Sequence, residues 1–209
     1  VKVHNMHTEQ NEKAIRYVAS NMIKEDPKIA ITFDDGPSPA WTPQLLDGLK
    51  ERNVKATFFL IGENAENTPE LVKRESEEGH LVGNHTYHHV EITRVPDETA
   101  KEEILMTNEV ITGITGEEVS YMRPPFGAWQ KKLEWELDVM PVMWTIDPLD
   151  WTTNNEDEIV NKVVTQAKEN DIILLHDCYE SSVNAALRIV DILQKEGFEF
   201  VTVDELIMN

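Results

Sequence analysis

Short apolar runs rich in β-branched and aromatic residues recur at 28–33, 55–61, 80–83, 119–122, 142–146, 171–175 and 198–203, and amphipathic helical patterns separate most of them, at 42–52, 68–78, 96–112, 131–137, 156–168 and 182–196. Strands that alternate with helices cannot be joined by tight hairpins. They run parallel through right-handed crossovers, so the pattern predicts an α/β fold, either a barrel or an open doubly wound sheet. A chain of 209 residues supplies one such domain without a second core. No repeat, low-complexity tract or linker interrupts the alternation. Before Pro27, Ala14, Tyr17, Val18 and Met22 share one helical stripe, so 1–27 reads as an N-terminal docking helix or a linker remnant, and 28–209 as the folded domain.

Charge narrows the partners. The formal net charge of −20 opposes nucleic acid, whose binding relies on Lys and Arg replacing counterions, and suits a neutral or weakly charged substrate. No apolar run approaches the ~20 residues of a membrane helix, so no membrane contact is expected from this domain itself. Cys178 is the single cysteine, which excludes an intrachain disulfide and leaves the redox compartment unmarked. Its simplest reading is a buried, inert thiol. No signal-peptide pattern opens the sequence, and a targeting or anchoring segment upstream is expected.

In parallel α/β folds, active sites gather at the carboxyl ends of the strands. Five groups fall there: Asp34-Asp35, the histidines of 85–89, Arg123 to Gly127, Asp147 to Trp151, and His176-Asp177. Gly36-Pro37 turns the chain directly after Asp34-Asp35, so both carboxylates can face one pocket, one to hold a metal and the other to take a proton. His85 and His89 stand four apart, a spacing that places both imidazoles on one face of a helical turn, with His88 directed elsewhere. Alone, that spacing is more often two surface histidines; beside an acidic pair it gives two imidazoles and a carboxylate with an open position, as in catalytic zinc sites.

Arg123 is either a surface charge or a guanidinium that orients Asp34 as a base, and the stiff Pro-Pro-Phe-Gly that follows is able to aim the Phe126 amide at an oxyanion. His176 closes a very apolar run and is either a core histidine or a general acid with Asp150 or Asp147 as its partner. Trp151 is core or pocket wall. Trp129 and Tyr179 are candidate sugar-stacking aromatics, and the acidic runs 75–78 and 156–158 read as solvated helix faces.

Taken together, TFDDGPS, HTYHH, RPPFG, DPLDW and LLHD resemble the five ordered motifs of the polysaccharide deacetylase family, carbohydrate esterase family 4, over roughly residues 29–206. The resemblance implies a distorted (β/α) barrel of about seven parallel strands. It further implies an enzyme that removes acetyl groups from N- or O-acetylated sugars with one divalent metal ion, Zn2+ with Co2+ as a substitute. By motif, Asp34 becomes the base, Asp35, His85 and His89 the metal ligands, Arg123 the residue that orients Asp34, and His176 the acid with Asp150 as its partner. Trp151 and Leu174 would line the acetyl pocket.

The favoured substrate is peptidoglycan N-acetylglucosamine, acted on by a monomer at the cell surface or outside the cell. Chitooligosaccharides, poly-N-acetylglucosamine and acetyl-xylan suit the same chemistry. A non-catalytic carbohydrate-binding relative is the competing class, and a metal-dependent phosphoesterase a third, against which the lack of a phosphate-binding Gly-rich loop speaks.

Overall fold

The structure, a computed structural model, describes Gln10, Glu12, Lys13 and residues 25–208. The expected stripe of Ala14, Tyr17, Val18 and Met22 lies outside the described residues. The first strand, β1 (Lys28–Asp34), is buried on both faces beyond its first residue, and the run Ile29, Ala30, Ile31, Thr32, Phe33 has no exposed side chain. Such a two-sided apolar strand belongs at the centre of a parallel sheet. It pairs in parallel with β2 (Thr57–Leu60) and β6 (Ile172–His176), while β7 (Glu199–Phe200) meets only its first two residues. Outward from β2 follow β3 (Leu81–Asn84), β4 (Tyr121–Met122) and β5 (Met140–Pro141), giving the order β5-β4-β3-β2-β1-β6.

Eight α-helices among the described residues link the strands: α1 (Thr42–Glu51), α2 (Gly62–Asn67), α3 (Pro69–Glu77), α4 (Asp97–Thr115), α5 (Lys132–Leu137), α6 (Glu156–Val164), α7 (Glu180–Lys195) and α8 (Val203–Ile207). Local chemistry sets several of their ends. Pro lies in the first turn of α1 and α3, where its missing N–H costs nothing, and α4 stops at Gly116 in the left-handed region (φ 76°). Asn155 caps α6 by accepting from the Glu158 amide at 3.2 Å, so the acidic run 156–158 sits at a positive helix terminus.

Two expectations change. The fifth strand, read at 142–146, pairs earlier, at Met140–Pro141, because 142–146 crosses between two partners. The Val142 amide still donates to Met122 (2.8 Å), but those of Thr145 and Ile146 donate to Ile172, and Ile146 bridges Ile173. The crossing joins the β4 side of the sheet to β6 and closes the distorted barrel. Val142 and Met143 leave carbonyls facing inward at this seam, and the Arg123 guanidinium answers them through Nε (3.0 Å) and Nη2 (3.1 Å).

The second change concerns the run 75–78, which is not a uniformly solvated face. Glu75 is fully buried on α3, and among the described residues neither carboxylate oxygen has a hydrogen-bond partner. Burial pushes its pKa well above the ordinary carboxylate value, and the nearby charge of Asp177 adds to the effect. No described helix is long and apolar enough to cross a membrane.

Candidate metal and catalytic site

Parallel register brings the chemical groups to one rim. Asp34 pairs with His176 across β1 and β6, and Asn84 pairs with Met122, each one residue before His85 and Arg123. A cavity of about 400 Å³ opens there, lined by Asp34, Asp35, His85, His89, Phe126, Trp151, Leu174 and His176. Every residue expected at the site touches it except Arg123 and Asp150, which stand behind Asp34 and His176.

Asp34 is 3% exposed and accepts from Arg123 Nη1 at 2.8 Å through Oδ1. The same guanidinium nitrogen donates to Thr32 Oγ1 (2.6 Å), and the guanidinium carbon lies over the Phe59 ring, 4.4 Å from its centroid. With the seam carbonyls taken by its other nitrogens, Arg123 has no rotational freedom, and Asp34 Oδ2 is left to face the cavity.

Asp35, at φ 74°, turns away from its neighbour, which is how adjacent carboxylates share a pocket while doing different things. Its Oδ1 lies 3.2 Å from His85 Nε2 and 3.4 Å from His89 Nε2. Burial alone would raise its pKa; the adjacent His85 ring first, then the charges of His176 and His89, outweigh that and hold it below the ordinary value. Oδ1 is itself buried with no hydrogen-bond partner among the described residues, and the three donor atoms lie within 4.8 Å of one another. For bonds of about 2.1 Å, tetrahedral geometry separates two ligand atoms by about 3.4 Å. Asp35, His85 and His89 therefore fit a divalent ion.

His85 and His89 reach this arrangement from a loop, not from the helical turn their spacing suggested, with Thr86 and His89 both at positive φ. Carbonyls of the loop are held by the missed helix α2, whose first amides, Gly62 and Glu63, donate to Thr86 (2.9 Å) and Tyr87 (3.1 Å). Asn64, on the same helix, donates to the Asp35 carbonyl at 2.8 Å. His85 Nδ1 meets the Arg123 carbonyl at 2.6 Å, which assigns Nδ1 as donor and leaves the Nε2 lone pair for the cavity. Burial lowers the pKa of His89, favouring the neutral ring that ligation needs. His88 does point elsewhere, to Glu103 Oε1 at 2.7 Å.

Across the cavity, Asp150 accepts from both His176 Nδ1 and the His176 backbone amide, each at 2.8 Å. Burial opposes the charged ring, but the Asp150 hydrogen bond and the charge beside it raise the His176 pKa to about 9. The rival Asp147 is spent on its own turn, accepting from the Leu149 amide at 2.9 Å. Phe126 adopts φ 62° and packs its ring edge-on to His89, with centroids 5.0 Å apart. Trp151 is 58% exposed at the rim, and Leu174 is buried at the cavity wall.

Trp144 also lines the cavity and was not read from the sequence; Pro124, Asp147 and Leu149 line it too, from within the RPPFG and DPLDW stretches. Trp129 is not a wall of it: its Nε1 donates to Glu134 at 2.8 Å and its ring packs on the cluster around Ile92 and Leu133. Tyr179 does line the cavity, and also a second hollow of about 370 Å³ bounded by Trp41, Asn154 and Glu156. The Cys178 thiol is pushed up to about 12 by burial, consistent with an inert group.

A family model described as polysaccharide deacetylase matches residues 21–142. The chain is 40% identical over 183 residues to the peptidoglycan-N-acetylglucosamine deacetylase PgdA of Listeria monocytogenes, an alignment covering 88% of this chain and 39% of that protein. A peptidoglycan-N-acetylglucosamine deacetylase of Bacillus cereus is 39% identical over 186 residues, covering 86% of this chain and 68% of that protein. Among solved structures, the peptidoglycan deacetylase PdaC from Bacillus subtilis superposes with a TM-score of 0.84 at 39% identity, covering 87% of this chain and 90% of that one. This chain belongs to the polysaccharide deacetylase family. It spans about two fifths of the length of the Listeria monocytogenes relative.

Proposed function

We propose that the protein is a metal-dependent hydrolase that removes N-acetyl groups from peptidoglycan N-acetylglucosamine and releases acetate. The observation that carries this reading is the opposition, across one cavity, of an arginine-anchored carboxylate beside an Asp-His-His cluster and a histidine held protonated by Asp150. Asp35, His85 and His89 would hold the ion, with zinc as the expected metal and cobalt as a substitute. When bound, a divalent ion polarises the acetyl carbonyl and acidifies water.

Asp34 Oδ2, 3.8 Å from His85 Nε2, then accepts the water proton while Arg123 holds its other oxygen. As negative charge gathers on the acetyl oxygen, the Phe126 amide donates to it. His176 Nε2–H protonates the departing nitrogen, and Asp150 stabilises the imidazolium that supplies the proton. Trp151 and Leu174 bound the space for the acetyl methyl group.

The substrate assignment is supported by the activities named for the Listeria monocytogenes and Bacillus cereus relatives. The second hollow beside Tyr179 gives a polymer room to continue past the reacting sugar. On this reading the protein works at the cell surface or outside the cell, as a monomer, held there by a targeting or anchoring segment.

The test is acetate release from peptidoglycan, chitooligosaccharides, poly-N-acetylglucosamine and acetyl-xylan by zinc-loaded protein. Turnover fastest on peptidoglycan is expected. Faster turnover on another of these glycans would move the substrate, and no release from any would favour a carbohydrate-binding protein.

A further inference from the structure

Asp177 follows the proposed acid His176, yet its side chain turns inward, away from the cavity, and is fully buried. Its Oδ2 accepts from Thr42 Oγ1 at 2.5 Å, and that hydroxyl in turn accepts from the Ser38 amide at 2.7 Å. The carboxylate also lies directly against Gly36. A Cβ placed on Gly36 would come within 2.4 Å of Asp177 Oδ1 and 2.5 Å of Oδ2, so the turn after Asp35 is moulded onto this one side chain.

Three segments thus meet at Asp177: the end of β6, the first residue of α1, and the turn of 35–38 that carries Asp35. On its other side that turn is held by hydrogen bonds from Asn64 Nδ2 to the Asp35 carbonyl (2.8 Å) and from the Ile61 amide to the Gly36 carbonyl (3.2 Å). Asp35 sits at φ 74°, a conformation that a non-glycine residue keeps only when its surroundings impose it. A shift of the turn would carry Asp35 Oδ1 away from His85 and His89 without disturbing either histidine.

We infer that Asp177 is a positioning residue for the metal site, setting the Asp35 turn from behind through Gly36 and the Thr42–Ser38 relay. It touches neither ligand nor substrate. Because it is also the covalent neighbour of His176, one buried carboxyl ties the ligand half of the site to the acid half. The inference rests on the reading of Asp35 as a metal ligand.

The experiment compares zinc affinity, measured by competition with a chromogenic chelator, for wild type, Asp177→Ala, Asp177→Asn and Thr42→Val, with the melting temperature of each metal-free protein alongside. Asp177→Ala is expected to weaken zinc binding about 10-fold or more at temperatures where the metal-free variant remains folded, in line with losses seen when groups that orient ligands are removed. Thr42→Val should weaken it severalfold. Asp177→Asn keeps the shape and an acceptor for Thr42 and should restore most of the affinity. Wild-type affinity in both Asp177→Ala and Thr42→Val would overturn the inference and leave the ligand assignment standing. If Asp177→Ala does not fold, Thr42→Val decides alone. A wild type that binds no zinc would remove the ligand assignment and this inference with it.

Discussion

At the rim of the barrel, Arg123, Asp34, Asp150 and His176 are withdrawn from solvent, and each meets an opposite charge at 2.8 Å. On the flank under α3, Glu75 and His80 are withdrawn as well, but among the described residues both Glu75 oxygens and His80 Nε2 have no hydrogen-bond partner. The outcomes diverge. Pairing keeps His176 charged, with its pKa raised to about 9, whereas burial lowers His80 to about 4 and raises Glu75, so both flank groups stay neutral. Charge is retained where a buried group meets an opposite charge and is extinguished where it meets none.

The largest break in this contrast should come from Asp34→Asn. Turnover is expected to fall about 10²- to 10⁴-fold while zinc binding survives, because the proposed general base is lost and none of the proposed ligands is. His85→Ala should lose the metal too. Equal zinc binding by both variants in equilibrium dialysis would refute the division of labour between Asp34 and Asp35.

Arg123→Ala leaves Asp34 buried without its partner and the Val142 and Met143 carbonyls unanswered. Denaturant unfolding should show a loss of about 3–5 kcal/mol. A loss confined to activity would mean that the seam closes without the guanidinium.

A smaller effect, on pH dependence, tests the His176 pair. A raised pKa keeps the acid protonated below about 9, so the rate should decline as pH climbs through that value, or somewhat earlier with a cation at Asp35. Asp150→Asn should move this alkaline limb toward the ordinary histidine value near 6.5. An unmoved limb would detach His176 from proton donation.

Least dramatic is Glu75→Leu, which is expected to stabilise. The folded carboxyl stays protonated while the unfolded one ionises above 4.5, so wild type loses stability as pH rises past that value. The opposite contribution of His80, neutral in the fold, is complete above 6.5. Glu75→Leu should therefore gain about 1–3 kcal/mol at pH 8, with the gain shrinking toward pH 4.5. Destabilisation at pH 8 would mean that Glu75 has a partner after all.

The barrel was legible because strand ends and functional motifs coincide along the sequence, and because a strand buried on both faces announces itself as an apolar run. Less visible were features that depend on long-range partners. Helix α2 carries Glu, Asn, Ala, Glu and Asn with no apolar stripe, and it forms where its first amides meet the histidine loop. The seam at 142–146 looks like a strand locally but divides its hydrogen bonds between two others. Spacing left Asp147 and Asp150 equivalent, and only the left-handed Leu149 (φ 55°) at the turn separates the acid that caps it from the acid that reaches His176. Glu75 was unreadable for the same reason: an acid in a run of acids shows nothing of what packs over it.

The double duty of Arg123 bears on how relatives of this chain should be read. A descendant that had abandoned catalysis would still need the guanidinium to close its barrel, so selection for folding alone would preserve the arginine. Its survival in a sequence testifies to architecture; Asp34, which only the arginine makes tolerable in the interior, is the residue whose loss would record that the chemistry had been given up.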